Sequence, residues 1–223
     1  MKIALIGATG FVGAAVLTEA LARGHEVVAL VRDPAKLAAR PGLTAVKADA
    51  YDQASVAAAV KGVDAVISAF NPGWSDPQIA PKFTVGAKAI DAAVVASGVT
   101  RLLVVGGAGS LFVAPGVQLV DTPEFPEFIR PAAAAARDLH TDYVAGRAGA
   151  GLDWTFLSPP AGFGPHDPAT DAPRSGHYRV GADEVLFAGA APATISRADL
   201  AVAIVDEIER PAHVRRRFTV AAA

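Results

Sequence analysis

The segment KIALIGATGFVGAAVLTEALARG, residues 2–24, decides the fold class. Its first six residues form a short apolar run that is typical of a strand covered on both faces. The later part, from residue 11 onward, predicts a helix that ends at Gly24. Between them stand Gly7, Gly10 and Gly13, in the spacing Gly-x-x-Gly-x-x-Gly. The segment therefore predicts a strand, a glycine-rich turn and a helix in direct succession.

The three glycines of this turn suit the binding of a dinucleotide pyrophosphate. A helix N-terminus carries unpaired N–H groups and a partial positive charge, which together hold a phosphate. Gly7 permits the tight turn, Gly10 lets the pyrophosphate approach the backbone, and Gly13 lets the helix lie close to the sheet. No Gly-Lys-Ser/Thr follows, so a nucleoside-triphosphate P-loop is not supported. A turn that serves packing alone is the alternative interpretation.

The succession of strand and helix repeats through the first half of the chain. Apolar runs at 2–7, 25–32, 43–49, 63–70 and 99–110 predict strands, and the segments 11–24, 33–40, 51–62 and 82–98 predict the helices between them. Parallel neighbours need crossover helices, so this rhythm predicts a parallel sheet with helices on both faces. We therefore expect an α/β fold with a Rossmann-like, doubly wound parallel sheet.

The second half of the chain follows this rhythm less regularly. It predicts a helix over 130–149, a sixth strand over 152–160, a helix over 197–210 and a last strand over 215–221. Residues 161–195 are expected to form a small irregular lobe on the substrate side, because much of this stretch is rich in Gly, Pro and His. No linker divides the chain, so we expect 1–223 to form a single domain.

Composition excludes several classes of function. The chain has 223 residues, 52% of them hydrophobic, a net charge of −2, no cysteine and five histidines without ligand-like spacing. A charge near zero argues against a nucleic-acid or membrane-surface binder. The lack of cysteine excludes disulfides, thiolate catalysis and cysteine metal sites, and no other metal site is predicted. The apolar N-terminal run is interrupted by glycines and is too short for a membrane span, so we expect a soluble, cytoplasmic protein.

The end of the second strand is where the adenosine ribose of a dinucleotide is expected. It carries the sequence RDPAK, from Arg32 to Lys36. An acidic residue there favours NAD, whereas an arginine can pair with a 2′-phosphate and favours NADP. Lys36 can add a second cation, and Asp33 can instead cap the following short helix. The pattern favours NADP, with NAD as the alternative; a solvated charge cluster on a surface loop is the non-functional interpretation.

Several motifs together carry a family resemblance. GATGFVG, ALVRDPAKL, ADAYD, VISAF and VVGGAGSL resemble the atypical short-chain dehydrogenase/reductase proteins. Within that group the chain is most similar to bacterial NADH-flavin reductase-like proteins and, more distantly, to biliverdin-IXβ/flavin reductases. The later segments LDWTFLSPP, GHYRVGADEVLF and ISRADLAVAIVDEIE agree, so the resemblance covers nearly the whole chain. It implies a nicotinamide cofactor and hydride transfer to a conjugated ring.

The resemblance also implies cofactor contacts at the carboxyl ends of successive strands, where an open parallel sheet binds its ligands. The matching residues are Gly7, Thr9, Gly10, Phe11 and Val12 at the pyrophosphate, Arg32 and Lys36 at the 2′-phosphate, Asp49 and Ala50 at the adenine, Ser68, Ala69 and Phe70 along the ribose, Gly106 beside the nicotinamide, and Pro159 and Pro160 after the sixth strand.

Tyr143 and Ser110 are the candidates for a catalytic role. Tyr143 and Arg147 have the i, i+4 spacing of the Tyr-x-x-x-Lys pair found in many short-chain dehydrogenases. Arginine stays protonated and cannot relay a proton as lysine does, so a tyrosine that only packs or faces solvent is the alternative. Ser110, just past the fifth strand, can bond a nicotinamide amide or a substrate, or cap a following turn.

Three functions stay open at this point. The first is an NAD(P)H-dependent reductase of a flavin, a quinone or a similar flat conjugated molecule, for which Trp74, Phe112, Phe163 and Tyr178 can line an aromatic pocket. The second is a non-catalytic NADP-binding redox sensor, which the incomplete catalytic pair motivates. The third is an NAD-dependent epimerase or dehydratase, against which the missing lysine of that pair weighs.

Overall fold

The computed structural model describes residues 1–223, and its strands and helices alternate along the chain as far as the fifth strand. The strands are Lys2–Ile6 (β1), Glu26–Val31 (β2), Leu43–Lys47 (β3), Ala65–Ser68 (β4), Arg101–Val105 (β5), Phe112–Ala114 (β6), Val117–Gln118 (β7), Asp153–Ser158 (β8), Tyr178–Gly181 (β9), Phe187–Ala188 (β10), Ala191–Pro192 (β11) and Arg216–Ala222 (β12). The α-helices are Gly13–Ala22 (α1), Gln53–Val60 (α2), Ile79–Ser97 (α3), Arg130–Val144 (α4) and Arg197–Glu209 (α5).

Eight of these strands form one sheet in the order β3-β2-β1-β4-β5-β8-β12-β9. Every pair in it is parallel except the last, in which β9 runs antiparallel to β12. Ile6 at the end of β1 lies opposite Leu30 of β2 on one side and Ser68 of β4 on the other. The prediction of a Rossmann-like, doubly wound parallel sheet is therefore confirmed.

Helices cover both faces of the sheet, which explains why its strands are apolar throughout. On β1, Ala4 and Ile6 pack in a core with α2, α3 and α4, whereas Ile3 and Leu5 pack in a second core with α1 and α5. Successive side chains of a strand point to opposite faces, so one short apolar run serves both cores. Complete burial of a side chain such as Leu5 contributes about 1.5–3 kcal/mol to stability.

Three predicted segments differ most from the structure, and the helix predicted over 130–149 also ends earlier, at Val144. The predicted helix over 33–40 is only a 3₁₀ turn, Pro34–Lys36. The Asp33 carboxylate caps its start at the N–H of Ala35 (3.1 Å), but the chain is extended again at Leu37. The strand predicted over 99–110 ends at Val105, and a 3₁₀ turn, Ala108–Ser110, follows it.

The third difference lies in residues 161–195, which were expected to be irregular. This stretch contains β9, which extends the main sheet, and the antiparallel hairpin of β10 and β11. The four residues of β9 show no clear alternation of apolar and polar side chains, so their sequence indicates a strand only weakly. The pairing of β9 with β12 depends on tertiary context. The role of this lobe toward a substrate stays a prediction. Separately, none of the helices is both long and apolar enough to cross a membrane.

Candidate functional site

The glycine-rich turn between β1 and α1 has the geometry that the spacing predicts. Gly7 has a φ of +83°, and a Cβ atom there would lie 2.4 Å from the carbonyl oxygen of Ala69. A Cβ at Gly13 would lie 2.0 Å from the carbonyl oxygen of Gly7, so the helix can pack this closely only without a side chain. A Cβ at Gly10 would meet a single atom, the Gly7 oxygen at 3.2 Å, and would otherwise occupy open space.

Helix α1 begins directly beside that open space. No side chain caps its N-terminus, where Val12 occupies the capping position. The N–H groups of Ala14 and Ala15 donate to the carbonyl oxygens of Gly10 and Val12, each at 3.0 Å. Those of Phe11, Val12 and Gly13 have no acceptor within the protein and are left for a ligand. The space at Gly10 and these N–H groups together fit a pyrophosphate, which a helix N-terminus attracts.

A cleft of about 510 Å³ extends from this turn along the carboxyl ends of the strands. It crosses the boundary between β1 and β4, where the strand order reverses and where doubly wound sheets bind dinucleotides. The predicted cofactor residues that line it are Gly7, Thr9, Gly10, Phe11, Val12, Arg32, Asp49, Ala50, Ala69, Phe70, Gly106, Pro159 and Pro160.

Lys36 and Ser68 were also predicted to contact the cofactor, but the structure places neither on the lining of this cleft. Lys36 is the last residue of the short 3₁₀ turn after β2, and it is exposed. Ser68 is buried within β4, and the cleft begins one residue later at Ala69. Arg32 is therefore the remaining candidate for the 2′-phosphate.

The β2–β3 end of the cleft holds the only two charged residues among its lining, Arg32 and Asp49. Arg32 is exposed and has no carboxylate partner among the ion pairs of the protein. Asp49 accepts a hydrogen bond from the N–H of Tyr51 (3.0 Å). Asp33, the residue that could have favoured NAD, is engaged in capping the 3₁₀ turn, as the sequence suggested.

The opposite end of the cleft is formed by the loop after β5, by α4 and by the segment after β8. Its lining consists of Gly106, Gly107, Ala108, Gly109, Phe125, Ile129, Ala132, Ala133, Ala136, Pro159, Pro160, Phe163, Gly164 and Pro165. No side chain of this set titrates or forms a strong hydrogen bond. Gly106 is required here, since a Cβ would lie 2.0 Å from the Phe156 ring.

The structure corrects the prediction for Ser110. This residue is 1% exposed and does not line the cleft. The 3₁₀ turn after β5 directs it inward, where its hydroxyl oxygen accepts a hydrogen bond from the guanidinium of Arg217 (2.9 Å). Arg217 also donates to the Ser110 carbonyl oxygen (2.8 Å) and to Asp183. Ser110 therefore anchors the loop from within rather than facing a ligand.

Tyr143 is likewise outside the cleft, which corrects the second catalytic prediction. It lies seven residues after Ala136, the last residue of α4 on the cleft, and seven residues of helix rise by about 10 Å. Tyr143 is 3% exposed, and its hydroxyl donates to the carboxylate of Asp91 on α3. Arg147, the expected partner of Tyr143, instead pairs with Asp142 (2.8 Å).

Burial is the main cause of the pKa shifts of Tyr143, Asp91 and His140. It raises the pKa of Tyr143 well above its ordinary value, and the nearby Asp91 carboxylate adds to this effect. Burial also raises the pKa of Asp91 to about 6, although the hydrogen bond from Tyr143 opposes the shift. His140 packs against Phe156, with ring centroids 5.0 Å apart, and burial lowers its pKa to about 4. None of these three residues lines the cleft.

The predicted aromatic pocket forms only in part. Trp74 and Phe163 line the cleft, and the Phe163 ring lies 5.3 Å from that of Phe11. Phe112 instead packs under the guanidinium of Arg217 (5.9 Å), and the Tyr178 hydroxyl donates to Asp206 (2.7 Å).

Sequence reasoning missed the contribution of α4 to the cleft. Its residues Ala132, Ala133 and Ala136 line the acceptor end, and a Cβ at Gly109 would already lie 3.0 Å from that of Ala133. The run AAAAA at 132–136 was the available signal, because successive small residues on a helix leave room beside it. Tyr51 and Phe83 were also missed; both line the cleft beside Phe70.

Comparisons with known proteins agree with this geometry. The model of the family described as NAD(P)H-binding matches residues 7–211. The uncharacterized Bacillus subtilis protein YwnB is 39% identical over 99% of this chain and 98% of its own. A Bacteroides thetaiotaomicron structure provisionally named an epimerase is 41% identical, with a TM-score of 0.88 and coverage of 99% of this chain and 96% of that one.

A Streptococcus pneumoniae structure is provisionally named an NADH-flavin reductase. It is 33% identical, has a TM-score of 0.83, and each chain covers the other completely. These likenesses confirm the resemblance to atypical short-chain dehydrogenase/reductase proteins, and they support an oxidoreductase-like protein with a nicotinamide cofactor. The chain belongs to the NAD(P)H-binding family.

Proposed function

We propose that this protein is an NADPH-dependent reductase that transfers a hydride to a flavin, a quinone or a similar flat conjugated molecule. The observation that carries the proposal is the division of the cleft. One end offers an unpaired arginine, Arg32, and the other end offers apolar surface without any titratable side chain.

Arg32 supports NADPH over NADH, with NADH as the alternative cofactor. Its guanidinium follows β2 directly, where the adenosine ribose of a dinucleotide is expected. An arginine matches the geometry of a phosphate, and it stays charged at any pH of interest. Because it has no carboxylate partner, no ion pair has to be broken when a 2′-phosphate binds.

At the acceptor end, the chain's own residues bind and orient the acceptor and exclude water. Gly106 and Gly107 leave space along the loop after β5, and Pro159, Pro160 and Phe163 close the side formed after β8. When bound, the nicotinamide supplies the hydride, which is the cofactor's own chemistry. A conjugated acceptor takes the hydride into its ring system, and its proton can come from solvent.

Reactions that need an acid or base from the protein are poorly supported. Reduction of an isolated carbonyl, epimerisation and dehydration each use a positioned proton donor or acceptor, which contributes typically about 10²–10⁴-fold to the rate. Tyr143 is the nearest equivalent in sequence, and it is buried against Asp91. This placement argues against the epimerase or dehydratase alternative.

A screen of acceptors tests the proposal. NADPH oxidation is followed by absorbance with riboflavin, a naphthoquinone, a simple aliphatic aldehyde and a simple aliphatic ketone. We expect turnover with the conjugated acceptors and none with the isolated carbonyls. Faster reduction of the ketone would overturn the mechanism, and tight NADPH binding without turnover on any acceptor would favour the redox sensor.

A further inference from the structure

We propose that the acceptor end of the cleft selects a planar conjugated molecule that carries no negative charge. This inference rests on the proposed function, because it names the class of acceptor for the same site. The proposed selectivity favours an uncharged quinone or an uncharged flavin over phosphorylated flavins, although all flavins carry the same reactive ring.

The first support is the absence of a cation where the acceptor would lie. The only cationic residue on the cleft is Arg32, which stands at the end of β2, on the far side of β1 and β4 from the loop after β5. The lining of the acceptor end consists of glycine, alanine, proline, isoleucine and phenylalanine. An anion moved from water onto such a surface loses hydration and gains no partner.

The second support is that the nearest arginines already have partners. Arg130 donates to the carbonyl oxygens of Val120 and Phe125, the latter at 2.9 Å, and its guanidinium lies 5.5 Å from the Phe125 ring centre. Arg197 pairs with Asp171 and lies 4.9 Å over the ring of Phe11. Neither side chain lines the cleft, so neither is placed to receive a phosphate there.

The third support is the charge of the segment that borders this end. Residues 121–128, DTPEFPEF, carry Asp121, Glu124 and Glu127, all exposed, around the cleft residue Phe125. Asp121 pairs with Arg137 (3.0 Å), but Glu124 and Glu127 form no ion pair. Arg130, which forms no ion pair, offsets one of these two free carboxylates, so the edge of the acceptor end keeps an excess of one negative charge. This excess disfavours an anionic acceptor and leaves a neutral one unaffected.

Riboflavin and FMN form the sharpest pair of probes. They share the isoalloxazine ring and differ by a phosphate remote from it, so their redox chemistry is the same and only the charge is tested. Flavin fluorescence quenching gives the Kd of each with the NADP⁺-saturated protein, and NADPH oxidation gives kcat/KM for each.

We expect riboflavin to bind about tenfold or more tightly than FMN, and to have a higher kcat/KM by a similar factor. The double variant Glu124→Gln/Glu127→Gln should lower the riboflavin preference, in both the Kd ratio and the kcat/KM ratio, by about twofold to fivefold. Effects of this size are usual for exposed charges. Added salt should narrow it in the wild type as well. Glu26→Gln, which removes an exposed carboxylate at the amino end of β2, away from the cleft, is the matched control and should change neither ratio.

Equal or tighter binding of FMN would overturn the inference, whether or not turnover is seen. So would a preference for riboflavin that is unchanged in the double variant and insensitive to salt. Preferred binding of riboflavin without NADPH oxidation would support the ligand class and overturn the proposed reductase function. Binding and turnover thus separate the failure of this inference from the failure of the function on which it rests.

Discussion

Arg32 is the residue on which we propose that the choice of cofactor depends. It is exposed at the end of β2, lines the cleft and has no carboxylate partner. We expect Arg32→Ala to weaken NADPH binding by about 1.5 kcal/mol or more, the scale of a charge-assisted hydrogen bond, and to leave NADH binding nearly unchanged. Titration of both cofactors measures this difference.

Lys36→Ala is the matched control for Arg32→Ala, because Lys36 is an exposed cation of the same segment that does not line the cleft. It should alter neither affinity by more than a few tenths of a kcal/mol, as is usual for a surface substitution. Equal losses for NADPH and NADH in Arg32→Ala would show that this arginine does not recognise the 2′-phosphate.

Asp91 links the charge of one buried residue to the stability of the fold. Burial raises its pKa from 3.8 to about 6, so between these values the folded chain holds a proton that the unfolded chain has released. The contribution of Asp91 to stability therefore falls as the pH rises through this window and stays lowered above it. Asp91→Asn removes this dependence and still offers Tyr143 an acceptor oxygen.

We expect the unfolding free energy of the wild type, relative to Asp91→Asn, to fall by about 2 kcal/mol between about pH 4 and pH 7. Urea unfolding at a series of pH values gives this difference. A constant difference between the wild type and Asp91→Asn would show that this carboxyl group titrates normally in the folded protein.

At the scale of the element, the turn between β1 and α1 assigns different tasks to its glycines. A side chain at Gly10 would extend into the open space of the cleft, whereas one at Gly13 would collide with the backbone of Gly7 at 2.0 Å. We expect Gly10→Val to abolish NADPH binding with the fold retained. Circular dichroism and a binding titration check both parts of this expectation.

Gly13→Val is the informative comparison, because it should lower the unfolding free energy by several kcal/mol through backbone overlap. A Gly10→Val protein that is folded and binds NADPH as tightly as the wild type would mean that the glycines serve packing alone.

The elements also show which features can be predicted from sequence. Periodicity is enough to predict β1 to β5, because their apolar runs are regular. Most of the helices between them can be predicted as well, since a glycine marks the end of each. The glycine turn was predictable because its spacing has a direct steric meaning. The 3₁₀ turn at 34–36 was not, since a capping aspartate and a proline fit a helix start equally well.

The direction of single side chains was harder to predict than the elements that carry them. Ser110 follows β5 as expected, but a 3₁₀ turn directs it toward Arg217, which is more than one hundred residues away in sequence. Tyr143 lies on the predicted helix, but the sequence does not indicate which turns of α4 contact the cleft. Both outcomes depend on tertiary packing, which periodicity does not report.

At the scale of the whole molecule, the strand order determines what the cleft can do. The reversal between β1 and β4 places Arg32 on one side of the glycine turn, and Gly106, Pro159 and α4 on the other. Every titratable group of α4 near the sheet, His140 and Tyr143 included, lies beyond the cleft. The proposed hydride transfer therefore uses no acid or base from the protein.

The turnover of Tyr143→Phe with NADPH and riboflavin tests this claim most directly. The variant removes the hydroxyl that the equivalent tyrosine of a carbonyl reductase would use, while Asp91→Asn provides a control for disturbance of the same buried pair. We expect kcat to fall by less than about tenfold, well short of the 10²–10⁴-fold contribution of a general acid. A loss of about a thousandfold, with the fold and NADPH binding intact, would contradict the account and restore a tyrosine-based mechanism.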